Sequence, residues 1–220
     1  MKIFICGDST AASYAPEDAP LTGWGQMLGD YVRPHEVRNL AFAGRSSKSF
    51  LYEGRLQAAE GSMEKGDLVL IQFTHNDASA LAWRHTEPWT GFQNCLRIYV
   101  DTARLHGARP VLLTPLCLRN FEGDTLLPSH GDYPEAVRVL ARQTGCPLVD
   151  LYALSHDLVQ SEGVEGSRKL FLHTEPGIYA RYPDGSRDDA HTQKTGADRF
   201  AQLVAGELAR LGLTGQEDEQ

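Results

Sequence analysis

The chain contains no C-x-x-C pair, and its four cysteines, Cys6, Cys95, Cys117 and Cys146, are scattered along 220 residues. Zinc and disulfide scaffolds need thiols grouped in sequence, so these read as small buried apolar side chains. No apolar run approaches the ~20 residues that a membrane-crossing helix requires. A basic excess is also missing: 21 Lys and Arg face 29 Asp and Glu, for a net charge of -8. Without a basic run there is little attraction for phosphate backbones or anionic lipid, so neither nucleic acid nor a membrane is expected as a partner. No repeat, low-complexity stretch or linker divides the chain, which is 41% hydrophobic and reads as one domain over 1–213. Glu217, Asp218 and Glu219 crowd its end, and 214–220 is expected to be a solvated, mobile acidic tail. The start, Met1-Lys2-Ile3-Phe4-Ile5, reaches Gly7-Asp8 too soon for a signal peptide of ~15–30 residues, which makes a cytoplasmic location the expectation. Two motifs are absent as well. Lack of G-x-S-x-G argues against an ordinary α/β-hydrolase elbow, and lack of G-x-x-x-x-G-K-[ST] against a P-loop.

What is present is an alternation. Short apolar runs bounded by turn residues at 2–6, 36–41, 67–73, 109–114 and 147–151 predict buried strands. Between and after them, apolar residues recurring at three and four predict helices over 92–106, 133–144 and 195–211, each followed by a glycine stop; 22–32 and 47–60 carry weaker helical patterns. Strands alternating with helices imply right-handed crossovers and a parallel sheet covered on both faces, hence an α/β three-layer sandwich with a five-stranded parallel sheet. The least regular stretch is 160–190, rich in Gly, Pro, His and Asp, and is expected to be a long functional loop.

In such sheets ligands gather beyond the carboxyl ends of the strands. Asp8 and Ser9 follow the first run, Asn39 and Gly44 the second ("NLAFAGRSS"), and His75, Asn76 and Asp77 the third ("FTHND"). A serine hydroxyl is a weak nucleophile unless a base adjoins it, normally a histidine held in the right tautomer by a carboxylate. "SRDDAHTQKTGADRF" supplies D-x-x-H in Asp188 and His191, read as a loop just before the last helix. The Ser9 and Gly44 backbone N–H groups and the Asn76 side-chain amide then offer donors to an oxyanion. Ester hydrolysis follows from the set, whereas each piece alone has a plainer reading: Ser9 as a helix cap, Gly44 as a turn glycine, Asn76 as a turn residue.

These blocks resemble the SGNH (GDSL-like) hydrolases, and more narrowly their rhamnogalacturonan acetylesterase branch: G-D-S-T at Ser9, "NLAFAGRSSKSF" at Gly44, H-N-D at Asn76 and "DDAHTQKTGADRFA" at His191. "TPLCLRNF", "HGDYPEAVRVLA" and "YPDG" are similar too, so the resemblance covers about residues 3–210. It implies a flavodoxin-like sandwich and a serine esterase that removes O-acetyl groups from pectic, rhamnogalacturonan-type oligosaccharides, with no cofactor and no metal. Two departures stand out. Thr74 replaces an expected glycine before His75 and is read as bulk beside the oxyanion side, and "DDAHT" replaces the more usual Asp-x-Thr-His.

Asp8 is read as structural, setting the Ser9 turn, while Asp77 and Asp189 compete with Asp188 as the group that orients His191. Arg45, Thr74, His75, Trp83, Arg84 and Trp89 are candidate substrate contacts, the tryptophans by stacking on a sugar and Arg45 by meeting a uronate carboxylate. Each also has a packing or surface reading. Two other functions remain open: a lipase, lysophospholipase or thioesterase on the same scaffold, which polar loops and the lack of an apolar lid disfavour, and a flavodoxin-like phosphate or nucleotide binder using Ser9 and Thr10. The latter leaves Asn76 and the D-x-x-H without a role.

Overall fold

β-Branched and other large apolar residues at 3–5, 68–71 and 111–113 favour extended backbone, and their unbroken runs require burial on both sides. The computed structural model describes residues 1–215 and meets that requirement. Its strands, in chain order, are β1 (Lys2–Gly7), β2 (Glu36–Asn39), β3 (Leu68–Gln72), β4 (Arg109–Leu113), β5 (Phe121–Glu122), β6 (Thr125–Leu126), β7 (Leu148–Val149), β8 (Phe171–Thr174) and β9 (Ser186–Thr192). The helices are α1 (Trp24–Met27), α2 (Ser47–Tyr52), α3 (Arg55–Glu60), α4 (Gln93–Leu105), α5 (Tyr133–Thr144), α6 (Leu151–Gly166) and α7 (Lys194–Arg210). Five strands form one parallel sheet in the order β2-β1-β3-β4-β7.

Strand side chains alternate between faces, so each central strand serves two cores. Ile3, Ile5, Leu68, Leu70, Val111 and Leu113 pack with Trp24 of α1, Val159 of α6 and Phe200, Val204 and Leu208 of α7. Their neighbours Phe4, Cys6, Val69, Ile71 and Leu112 pack on the other face with Phe50 of α2, Leu96, Tyr99 and Val100 of α4 and Val137 and Leu140 of α5. The three-layer sandwich expected from the alternation is therefore the observed architecture. All four cysteines are free, and burial pushes the thiols of Cys6 and Cys117 up to about 12, as suits apolar filler. No helix among the described residues is long and apolar enough to cross a membrane. Most of the expected acidic tail, 216–220, lies outside the described residues.

Four segments differ from the expectation. The 22–32 pattern yields only the single turn of α1 plus a 3-10 turn at Leu28–Asp30, and 47–60 is broken into α2 and α3 by Gly54 in the left-handed region (φ 69°). α6 was hidden because its buried stripe, Leu151, Ser155 and Val159, has a serine at its centre. That hydroxyl accepts the Cys117 N–H at 3.0 Å, a tertiary contact with no trace in local periodicity. Finally, 160–190 is not one loop: it holds the end of α6 and the antiparallel pair β8–β9, so Asp188 and His191 sit on a strand instead of a loop. β9 is polar and lacks apolar alternation, which is why it does not read as a strand.

The small residues after Ser9 are explained by a close approach. Ala11 and Ala12 are buried against the start of α1, where a methyl group built on Gly23 would lie 2.3 Å from Ala12 O and 2.7 Å from Ala11 C. These obstacles are backbone atoms of the Ser9 turn and cannot rotate away. Gly23→Ala is therefore expected to lower stability by about 1–3 kcal/mol through overpacking and to depress turnover by displacing that turn. Thermal unfolding together with steady-state rates checks this; an unchanged melting midpoint would contradict the close fit.

Candidate active site

β1 ends at Gly7, and the turn that follows is held by the buried Asp8 carboxylate. Its Oδ1 accepts the Thr10 N–H (3.0 Å) and hydroxyl (2.8 Å), while Oδ2 lies 3.3 Å from His75 Nδ1. Burial alone would raise the Asp8 pKa, but His75 and the Thr10 hydrogen bonds outweigh it and hold the carboxyl below its ordinary value. The Tyr14 hydroxyl donates to the Ser9 carbonyl at 2.7 Å, and the Trp24 N–H to the Thr10 carbonyl at 2.9 Å. Ser9 thus projects from a turn anchored on both sides.

β9 brings the base. His191 Nε2 is 3.0 Å from Ser9 Oγ, and His191 Nδ1 is 2.7 Å from Asp188 Oδ2. Asp188 Oδ1 also accepts the N–H groups of Ala190 (2.8 Å) and His191 (2.9 Å), which fixes the carboxylate plane. Residues 182 apart in sequence meet because the end of β9 is tied to the segment before α1: the Thr22 N–H donates to the Thr192 carbonyl (3.0 Å) and the Thr192 hydroxyl to the Thr22 carbonyl (2.5 Å). Of the rival carboxylates, Asp189 is engaged by Arg119 Nη1 and His173 Nε2, both at 2.8 Å. Asp77 accepts from Ser47 and Thr86, and burial pushes its carboxyl up to about 6 against those bonds.

For Asp188, burial acts upward, but the hydrogen bonds from the His191 ring and the two backbone amides prevail and hold it far below the carboxylate range. For His191 the bond to Asp188 is the largest influence and raises the pKa above the ordinary 6.5, against burial. A general base works only when unprotonated, so a raised pKa moves the active form to higher pH. Turnover of an acetyl ester is expected to climb with pH along a limb whose midpoint lies above 6.5. A rate profile from about pH 5 to 9 measures it, and a flat profile would remove His191 from the base role.

Gly44 and Asn76, the expected oxyanion donors, lie in the loops after β2 and β3. Asn39 at the end of β2 donates through Nδ2 to the Ala11 carbonyl (2.8 Å) and accepts the Ala41 N–H (3.1 Å), fastening this loop to the Ser9 turn. Gly44 has φ 78°, which a side chain would strain, and no atom of the described residues lies within 4 Å of a Cβ built there. Among the described residues, the N–H groups of Ser9 and Gly44 donate to no acceptor. Asn76 Nδ2 donates to the Arg45 carbonyl at 3.0 Å, and its Oδ1 accepts from Arg84 Nη1 at 2.9 Å, leaving one amide N–H uncommitted. A nucleophile, a base, its orienter and uncommitted donors together are the equipment for acyl transfer.

The remaining candidates divide. Thr74 is wholly buried, so it offers substrate no surface, contrary to its expected place among the substrate contacts. The His75 ring rests on Asp8 and edge-on to His130, with centroids 4.4 Å apart. Arg45 is engaged by Glu53 at 3.0 Å and covers Phe42, while Trp83 and Trp89 are 52% and 45% exposed. Tyr14, Thr22 and Thr192 were not legible as site supports; the threonine following His191 is the one local signal. No group of His, Cys, Asp or Glu that could hold a metal ion occurs among the described residues. A cavity of about 490 Å³ between α2 and α4, lined by Lys48, Leu51, Tyr52, Thr86 and Ile98, contains none of the Ser9, His191 or Asp188 groups.

Residues 5–191 match the model of the GDSL-like lipase/acylhydrolase family. The chain is 40% identical over 215 residues to the rhamnogalacturonan acetylesterase RhgT of Bacillus subtilis, covering 97% of this chain and 91% of that protein. It is 37% identical over 213 residues to the probable rhamnogalacturonan acetylesterase YesY of the same organism, covering 96% and 94% respectively. Among solved structures, the YXIM protein of Bacillus subtilis superposes with a TM-score of 0.82 at 28% identity, over 97% of this chain and 57% of that one. The acetylxylan esterase Axe2 of Geobacillus stearothermophilus gives 0.66 at 16% identity over 98% and 94%, a likeness of fold alone.

Proposed function

The chain belongs to the GDSL-like lipase/acylhydrolase family, and from that premise we propose a serine carbohydrate esterase that removes O-acetyl groups from rhamnogalacturonan-type pectic oligosaccharides. The observation that carries the chemistry is the line Ser9 Oγ, His191 Nε2, His191 Nδ1, Asp188 Oδ2, with separations of 3.0 and 2.7 Å across its two hydrogen bonds. The substrate class is supported by two relatives of similar length whose names specify this polysaccharide.

In this reading Ser9 Oγ attacks the acetyl carbonyl carbon while His191 Nε2 takes its proton. The carbonyl oxygen becomes an oxyanion among the Ser9 N–H, the Gly44 N–H and the free Asn76 amide hydrogen, donors already oriented before charge develops. The intermediate collapses, His191 returns the proton to the departing sugar hydroxyl, and acetyl-Ser9 remains. Water, deprotonated by His191, attacks that ester; collapse expels Ser9, which regains its proton, and acetate leaves. Asp188 stays ionised throughout, holding the Nδ1–H tautomer and stabilising the imidazolium.

The test is acetate release from acetylated rhamnogalacturonan oligosaccharides, with an octanoyl nitrophenyl ester as the long-chain competitor. Faster turnover of the octanoyl ester than of 4-nitrophenyl acetate, which shares its leaving group, would replace the sugar assignment with the lipase or thioesterase reading.

A further inference from the structure

The guanidinium of Arg84 is not free to meet substrate with all its donors, because one of them is committed to Asn76. We propose that Arg84 is a positioning residue for the oxyanion site, locking the Asn76 amide so that its free N–H faces the developing charge. This rests on the oxyanion role of Asn76 proposed above.

A primary amide presents a donor edge and an acceptor edge of nearly equal shape, and an orientation is unique only when both are held. Here both are: Nδ2 donates to the Arg45 carbonyl at 3.0 Å and Oδ1 accepts from Arg84 Nη1 at 2.9 Å. A flip of the amide would set oxygen against the Arg45 carbonyl and nitrogen against the guanidinium, both repulsive, and would aim a lone pair where the oxyanion forms. With Arg84 removed, Oδ1 loses its protein partner and the amide is held at a single edge. The charged donor also draws electron density from the amide, strengthening the remaining N–H as a donor.

The surrounding loop is built to return Arg84 to Asn76. The residue after Asn76, Asp77, accepts the Thr86 N–H on its carbonyl (3.1 Å) and the Thr86 hydroxyl on its carboxylate (2.8 Å), closing the loop two residues beyond Arg84. Within it the Arg84 N–H donates to the Leu81 carbonyl at 3.0 Å, and the guanidinium lies 5.4 Å from the centre of the Trp83 ring. Nothing in this arrangement asks for a sugar. The contact therefore acts on the chemical step even for a substrate that has none.

A double-mutant cycle on 4-nitrophenyl acetate tests it, using Arg84→Met, which retains most of the aliphatic length, and Asn76→Ala, alone and combined. Since loss of one oxyanion donor lowers kcat about 10²–10³-fold, misorienting it by Arg84→Met is expected to lower kcat on the order of 10–10²-fold with KM little changed. In the Asn76→Ala background the same change is expected to alter kcat by less than about 3-fold, because coupled residues are not additive. An equal loss in both backgrounds, or a loss seen with oligosaccharide but not with 4-nitrophenyl acetate, overturns the inference. Near-normal turnover by Asn76→Ala overturns the oxyanion reading itself and the inference with it. Melting midpoints establish that each variant is folded; should Arg84→Met not fold, Arg84→Leu, which likewise offers Oδ1 no donor, enters the cycle with the same expectation.

Discussion

Ser9→Ala is expected to lower kcat for acetate release by up to about 10⁶-fold, the loss that follows when the nucleophile of a triad is removed. Alanine has no atom to attack with, and the residual rate is that of water in a site still able to hold an oxyanion. His191→Ala is expected to lose as much, and the double variant little more, because the two residues carry out one proton-coupled attack. The fold should survive both changes. Among the described residues the Ser9 hydroxyl hydrogen-bonds only His191, and the turn itself is held by Asp8, Thr10 and Tyr14. Single-turnover measurement of acetate with folded Ser9→Ala reads the result. A variant that keeps a tenth of wild-type turnover would show that the nucleophile lies elsewhere.

Asp188→Asn is expected to reduce kcat by about 10⁴-fold with little loss of structure. The reason lies in the backbone. Ala190 and His191 donate their N–H groups to Oδ1 at 2.8 and 2.9 Å, and an asparagine keeps both bonds only by placing its oxygen there. Its NH₂ then faces His191 Nδ1, which must turn acceptor, and the ring proton moves to Nε2, opposite Ser9. The base then offers a proton where it should accept one. Loss of the carboxylate also removes the largest upward influence on His191, so the residual pH limb is expected at lower pH than in the wild type. Steady-state kinetics over pH reads both effects. A decrease smaller than about 10-fold would transfer the orienting role to another carboxylate.

Much of this was legible in the chain because strand ends are local events. Ser9, Gly44 and Asn76 each lie within a few residues of a buried apolar run, and in a parallel sheet those runs end at a common rim. β2 was readable although its side chains are half exposed, and the central strands more readily, since burial on both faces leaves uninterrupted apolar sequence. β9 was not. Its sequence, SRDDAHT, is polar at all but Ala190, and its partner β8 shows only as Phe171 and Leu172 before a polar His173-Thr174. The substrate candidates fared by the same logic: local sequence marks Thr74 and Arg84 as close to the site, yet burial of one and the capture of the other by Asn76 depend on distant elements.

The order of residues alone, then, was enough for the sandwich, for the strand ends that present Ser9, Gly44 and Asn76, and for the spacing that lets Asp188 reach His191. Periodicity, turn residues and short-range geometry are enough for those, since each concerns atoms a few residues apart. The tertiary structure alone decided which carboxylate faces the imidazole, how Thr22 and Thr192 bring β9 to the Ser9 turn, and where the Asn76 amide points. Those outcomes hang on hydrogen bonds between segments far apart in the chain, whose directions exist only once the layers have packed.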